Sequence, residues 1–125
     1  MRVDVVYGAP ALAGLDLHGR VLVMIDVLRA STTIAVALAN GARCIVPLES
    51  GDEAVTRAKS FERGEIVLAG ERKMLPIAGF DFGNSPREFV RSAVEHKTIL
   101  FTTTNGTSAL LAAQGARDVV VGAFV

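Results

Sequence analysis

The stretch "VLVMIDVLRASTTIAVALANGA", Val21 to Ala42, decides the fold. Its strand-forming run ends in Asp26, and Ser31-Thr32-Thr33 opens a segment with the apolar spacing of a helix. This predicts a strand over Arg20 to Val27 and a helix from Ser31 to about Asn40, with Ser31 as N-cap and Gly41 at the C′ position.

The same alternation extends in both directions. A strand is expected at Arg2 to Tyr7. Beyond the opening helix come a strand at Arg43 to Leu48, a helix at Gly51 to Glu62 and a strand at Glu65 to Ala69. A glycine-rich loop then runs from Gly70 to Asn84. A helix at Pro86 to Glu95, a strand at Thr98 to Thr103, a helix at Gly106 to Gln114 and a strand at Arg117 to Val121 follow. Strands alternating with helices through short connections indicate one α/β domain over residues 1–125, with a mainly parallel sheet covered on both faces. No internal repeat, linker or low-complexity segment interrupts it. In an open parallel sheet ligands gather at the carboxyl ends of the strands, where Asp26, the long loop and the Thr102 to Thr107 turn should meet.

Composition narrows the function. Thirteen basic and thirteen acidic residues cancel, so the chain carries no electrostatic footprint for nucleic acid or an anionic membrane. A small molecule or a protein is the expected partner. The single cysteine, Cys44, excludes an internal disulfide. Its apolar surroundings predict a structural thiol on a buried strand, in keeping with a reducing cytoplasm. No apolar run approaches the ~18 residues of a membrane helix, and "MRVDVVYGAP" lacks the form of a signal peptide, so a soluble cytoplasmic protein is expected.

The helix starts differ among themselves. Ser50-Gly51-Asp52-Glu53 and Ser85-Pro86-Arg87-Glu88 place glutamate three residues after serine, a capping box that satisfies the free amides internally. Ser31-Thr32-Thr33-Ile34 and Asn105-Gly106-Thr107-Ser108 have no acid in the first turn, which leaves amides and hydroxyls for an external acceptor. For either end alone, ordinary capping is the better reading. Two such ends with Arg29 beside one favour a bound anion, with the guanidinium available as a bidentate fork. Asp26 alone reads equally well as a loop cap or a partner of Arg29. Glu71 and Arg72 suit a solvated turn pair, Asp81 suits an Asx turn, and His18 and His96 read as surface residues.

The chain has no P-loop and no cysteine-phosphatase loop, and no second aspartate follows Asp26 by two residues. What remains is metal-assisted hydrolysis, in which Asp26 and Glu71, with Asp81 as a further candidate, could meet the demand of Mg²⁺ for one or two carboxylates.

Four blocks carry a family likeness: "DVLRASTTI" at Asp26 to Ile34, "AGER" at Ala69 to Arg72, "GFDFGNSPREF" at Gly79 to Phe89 and "TTTNGTSAL" at Thr102 to Leu110. Together they resemble the 2-phosphosulfolactate phosphatase family. The resemblance implies a magnesium-dependent phosphatase on a three-layer α/β/α fold, releasing phosphate from 2-phosphosulfolactate to give sulfolactate in coenzyme M biosynthesis. It carries functional positions to Asp26, Arg29, Ser31, Thr32, Glu71, Arg72, Asn84, Ser85, Thr103, Asn105, Gly106 and Thr107. In the roles inferred for them, Asp26 and Glu71 hold Mg²⁺, and Arg29 and Arg72 neutralise phosphate or sulfonate. Asn105 joins this catalytic set, and the two open helix starts with Asn84 and Ser85 complete the substrate cradle. The family pattern continues beyond "VVVGAFV", so a non-catalytic anion-binding module or an inactive fragment is the alternative. An unfinished sheet would leave an apolar edge favouring a homo-oligomer.

Overall fold

A computed structural model describes all residues, Met1–Val125. The first strand, β1 (Val21–Ile25), leads into α1 (Ala30–Ala39). Then come β2 (Cys44–Pro47), α2 (Gly51–Ala58), β3 (Ile66–Arg72) and the two-residue β4 (Leu75–Pro76). α3 (Arg91–Val94), β5 (Thr98–Thr102), α4 (Gly106–Ala112) and β6 (Asp118–Gly122) complete the chain, and 3₁₀ turns cover Ala9–Leu12 and Pro86–Glu88.

Hydrogen bonding divides the strands into a four-stranded sheet, ordered β2-β5-β3-β4, and a two-stranded β1-β6 ladder. All pairings are parallel except β3 with β4. β5 is central, and each of its five residues is buried. Its alternating side chains show why. Ile99 and Phe101 join Val67 and Ala69 of β3, Ile34 and Ala37 of α1, Phe89 and Val94 in the larger core. Leu100 points to the opposite face and packs with Leu48 and Ala54, flanked by Leu68 and Phe80. A helix therefore covers each face of the sheet, α1 on one and α2 on the other, which is the expected three-layer α/β/α arrangement. None of the helices is long and apolar enough to cross a membrane.

Four sequence expectations need correction. Arg2 to Tyr7 forms no strand. Asp4 instead pairs with Arg2 and Arg20 in exposed ion pairs, and Val3, Val5 and Tyr7 lie open to solvent. Cys44 is exposed, because β2 is an edge strand and residue 44 begins it. The segment Pro86 to Glu95 is broken into a 3₁₀ turn and the single-turn α3. The stretch from Gly70 to Asn84 is not all loop: β3 runs through Arg72 and returns as β4. The two-residue turn Lys73-Met74 has positive φ at both positions, 49° and 68°, as a type I′ hairpin requires. Neither residue is the asparagine or glycine that normally marks such a turn, so the hairpin is hidden in the sequence.

At Gly70 the backbone of β3 passes against Thr102 of β5. Its φ is 147°, and a Cβ there would lie 1.8 Å from the Thr102 carbonyl oxygen. Only glycine fits this position.

Candidate active site

At the carboxyl end of β1 the chain turns straight into α1. The Ser31 hydroxyl accepts from the Asp26 amide at 2.7 Å, and the Ser31 amide donates to the Asp26 carbonyl at 2.9 Å. Thr32 donates its hydroxyl to the Val27 carbonyl, and Thr33 donates its hydroxyl to the Asn84 carbonyl. These hydroxyls hold the corner together and are not left for a ligand. The amides of Ala30 and Thr32 do remain without a protein acceptor, so α1 keeps the open N-terminus that the absence of a first-turn acid suggested.

The start of α4 is organised differently from expectation. Thr107 donates its amide to the Thr103 hydroxyl, and Thr103 donates its amide to the Thr107 hydroxyl, both at 3.0 Å. This reciprocal pair caps the helix from within, and both threonines are buried. Asn105, the N-cap residue, is exposed and its side chain bonds to nothing in the protein.

The two helix starts nevertheless meet. A Cβ placed on Gly106 would lie 2.4 Å from Ala30 Cβ, 3.1 Å from Thr103 Oγ1 and 3.4 Å from Asp26 Oδ2. The Asp26 carboxylate thus reaches the first turn of α4, and no protein donor contacts its oxygens. The Arg29 side chain, three residues on, likewise makes no hydrogen bond or ion pair.

Glu71 and Arg72 end β3 with different tasks. Glu71 is buried, and its carboxylate accepts from the Thr104 amide at 2.6 Å, the Thr104 hydroxyl at 3.0 Å and the Met74 amide at 2.7 Å. Burial alone would raise its pKa, but these donors, with the Arg29 charge beyond them, hold the carboxyl below its ordinary value. Arg72 donates to the Thr102 hydroxyl at 2.7 Å, to the Thr103 carbonyl at 3.3 Å and to the Glu49 carbonyl. Its guanidinium clamps three strand ends together, which leaves the proposed anion contact to Arg29.

Arg29 and Glu71 share a cleft of about 310 Å³ with Asn84, Ser85 and Glu88, walled on its apolar side by Met74, Ile77 and Phe80. Asn84 is 6% exposed, and its Oδ1 is a buried side-chain polar atom without a hydrogen-bond partner. Such an atom in a polar cleft is what a ligand or water would satisfy. The Glu88 carboxylate accepts from the Ser85 and Gly83 amides, in line with the expected capping box. At the other predicted box, Glu53 donates its amide to the Ser50 hydroxyl at 3.1 Å. Asp81 is exposed and accepts from the Leu68 amide, so it supports β3 and adds no carboxylate beside Asp26. His18 and His96 are exposed, as read from the sequence.

Two residues were missed by sequence reasoning. Thr104 fixes Glu71, and Thr33 fixes the backbone of Asn84. Both lie inside quoted motifs, where the hydroxyl-rich runs Thr102-Thr103-Thr104 at a strand end and Ser31-Thr32-Thr33 at a helix start were the available signal.

The profile of a family described as 2-phosphosulpholactate phosphatase matches residues 9–125. The chain belongs to that family. A protein named "Probable 2-phosphosulfolactate phosphatase" from Clostridium beijerinckii is 40% identical over 125 residues, covering 100% of this chain and 52% of the relative. Proteins of the same name from Caldanaerobacter subterraneus and Symbiobacterium thermophilum are 46% and 48% identical over 110 residues. Those alignments cover 88% of this chain in both cases, and 46% and 47% of the respective relative. The chain therefore spans about half the length of the curated relatives it matches.

Proposed function

We infer that the chain forms the phosphate-handling part of a phosphatase that hydrolyses 2-phosphosulfolactate, or a similar small phosphorylated acid, to the hydroxy acid and phosphate. The relatives' names supply the substrate. The observation that carries the reading is that Arg29 and Asn84 line one cleft and neither side chain has a protein partner. Arg29 offers a fork to phosphate or sulfonate, the Ala30 and Thr32 amides extend it at the start of α1, and Ser85 and Asn105 supply further polar contacts. Glu71 keeps the Thr104 turn and the β3-β4 hairpin in register beside them.

Magnesium is part of this reading. No three Asp, Glu, His or Cys side chains gather to hold a metal by themselves. Mg²⁺ needs only one or two carboxylates, completed by waters and substrate oxygens, and the unpartnered Asp26 carboxylate fits that demand. Glu71 fits less well as a direct ligand because its two oxygens already accept three hydrogen bonds. Bound at Asp26, the ion would neutralise phosphate charge and promote ionisation of a water. Arg29 would stabilise the charge on the phosphoryl oxygens while the water oxygen bonds to phosphorus, the P–O ester bond breaks and a proton of that water ends on the leaving alcohol oxygen. Such a substrate and cofactor suit the cytoplasm.

Phosphate release from 2-phosphosulfolactate with Mg²⁺ tests this reading, with Asp26→Asn as control. Release by the wild type, lost on chelation and in Asp26→Asn, supports it; equal background from both proteins overturns catalysis. A second reading, anion binding without turnover, is favoured by the unpartnered Arg29 side chain and the free Ala30 and Thr32 amides, which can hold an anion without a metal. Calorimetric binding of the substrate without phosphate release would establish it.

A further inference from the structure

The β1-β6 ladder has two unlike faces. Met24 on β1 is buried in the larger core, and Val121 on β6 packs against it. The other face carries Val21, Val23 and Ile25 in alternation, with Val120 directly beside Val23 in the parallel register. Val23, Ile25 and Val120 are 55%, 70% and 46% exposed, and no helix covers them. A two-stranded parallel ladder open on one face is physically anomalous, since parallel sheets are covered on both faces and isolated two-stranded sheets are marginal.

Total surface agrees with this local picture. The chain exposes 7984 Å², whereas surface scaling gives about 6,400 Å² for a compact monomer of 13.2 kDa. The surplus of about 1,600 Å² matches one side of an obligate interface, whose two sides together bury roughly 2,000–5,000 Å². Part of the surplus comes from Val3 and Val5, which the Asp4–Arg20 ion pair keeps near the start of β1. Phe124, just past β6, is 92% exposed.

We propose that the apolar β1-β6 face is an interface that takes the polypeptide equivalent to the half of the relatives this chain does not match. The Clostridium beijerinckii protein holds 48% of its length outside the match, enough for a second unit of the size of this one. In such relatives that polypeptide is covalently present, so the valine face has a partner at high effective concentration. A second copy of this chain would have to oppose the face to itself, and the doubled length of the relatives makes that unnecessary. The cover supplies apolar side chains over Val21, Val23, Ile25 and Val120 and completes the second layer that the ladder lacks.

The test mixes this chain with the separately produced unmatched portion of the Clostridium beijerinckii protein and measures mass by analytical ultracentrifugation. A one-to-one complex is expected. Val23→Glu and Val120→Glu, each on an open surface and therefore compatible with folding, should weaken it at least tenfold, while Thr56→Glu on α2 should leave it unchanged. Should the isolated portion not fold, co-expression or fusion after Val125 supplies the same pairing. Amide exchange in residues 21–25 and 118–122 should then slow at least tenfold relative to this chain alone. Failure to pair with unchanged exchange, pairing insensitive to Val23→Glu, or self-association through this face in preference to the added portion would each overturn the proposal.

Discussion

The carboxylate of Glu71 accepts both the amide and the hydroxyl of Thr104, at 2.6 and 3.0 Å, and so ties the end of β3 to the turn between β5 and α4. Because these donors hold the folded-state pKa below the ordinary 4.5, the stabilisation is fully present above that value and is lost as pH falls through the lower folded value. Glu71→Gln, which turns amide hydrogens toward these donors, should cost about 1–3 kcal/mol at pH 7 in metal-free buffer. The gap should narrow at a second, acidic pH below the ordinary carboxylate range, where the wild-type carboxyl begins to protonate. Urea unfolding at both pH values checks this; a gap independent of pH would show that the charge plays no part.

Gly106 and Ala30 are in contact because α1 and α4 begin at the same point. Gly106→Ala puts a methyl group 2.4 Å from Ala30 Cβ, and such overpacking costs about 1–3 kcal/mol. Ala30→Gly in the same chain removes the opposing methyl and should recover most of the loss. Denaturation midpoints of the two single variants and the double variant decide it: additive losses would mean that the two residues do not oppose each other.

Arg72 is read as a clamp, which separates it experimentally from Arg29. Arg72→Lys loses the planar fork that reaches Thr102, Thr103 and Glu49 together, and should destabilise the fold by about 1–3 kcal/mol. Arg29→Lys touches no protein acceptor and should stay within about 0.5 kcal/mol of wild type while weakening phosphate binding. Thermal unfolding and calorimetry with inorganic phosphate give both numbers. The opposite assignment of stability and binding losses would reverse the two roles.

The sheet was legible because hydrophobic runs of strand length recorded burial directly: β1, β2, β3, β5 and β6 all fall within or beside their expected spans. Arg2 to Tyr7 shows the limit of that signal, since its alternation is real but no neighbouring strand pairs with it. The β3-β4 hairpin escaped because Glu71, rather than a turn-forming residue, secures positive φ at Lys73 and Met74. At the site, Arg29 and Asn84 meet in one cleft because strand ends and helix starts converge in this topology, whereas the Asp26 carboxylate lies against the start of α4 and does not line that cleft. Which hydroxyls stay free was not legible. Thr103 and Thr107 satisfy each other across one turn, and only their mutual geometry separates that arrangement from an open anion cradle.

Asn84 provides the sharpest separation of binding from folding. A buried side chain with good hydrogen bonds costs about 1–3 kcal/mol when removed, but Asn84 Oδ1 has no partner to lose. The tie from Thr33 uses the backbone carbonyl of Asn84 and survives truncation. Asn84→Ala should therefore leave stability within about 0.5 kcal/mol of wild type, because the small cavity formed opens onto the cleft. Binding of 2-phosphosulfolactate should weaken by roughly tenfold, the equivalent of one hydrogen bond to a charged group. Denaturation and calorimetry on the same preparation measure both. Lost stability with unchanged binding would make Asn84 a structural residue and would remove it from the cleft's chemistry.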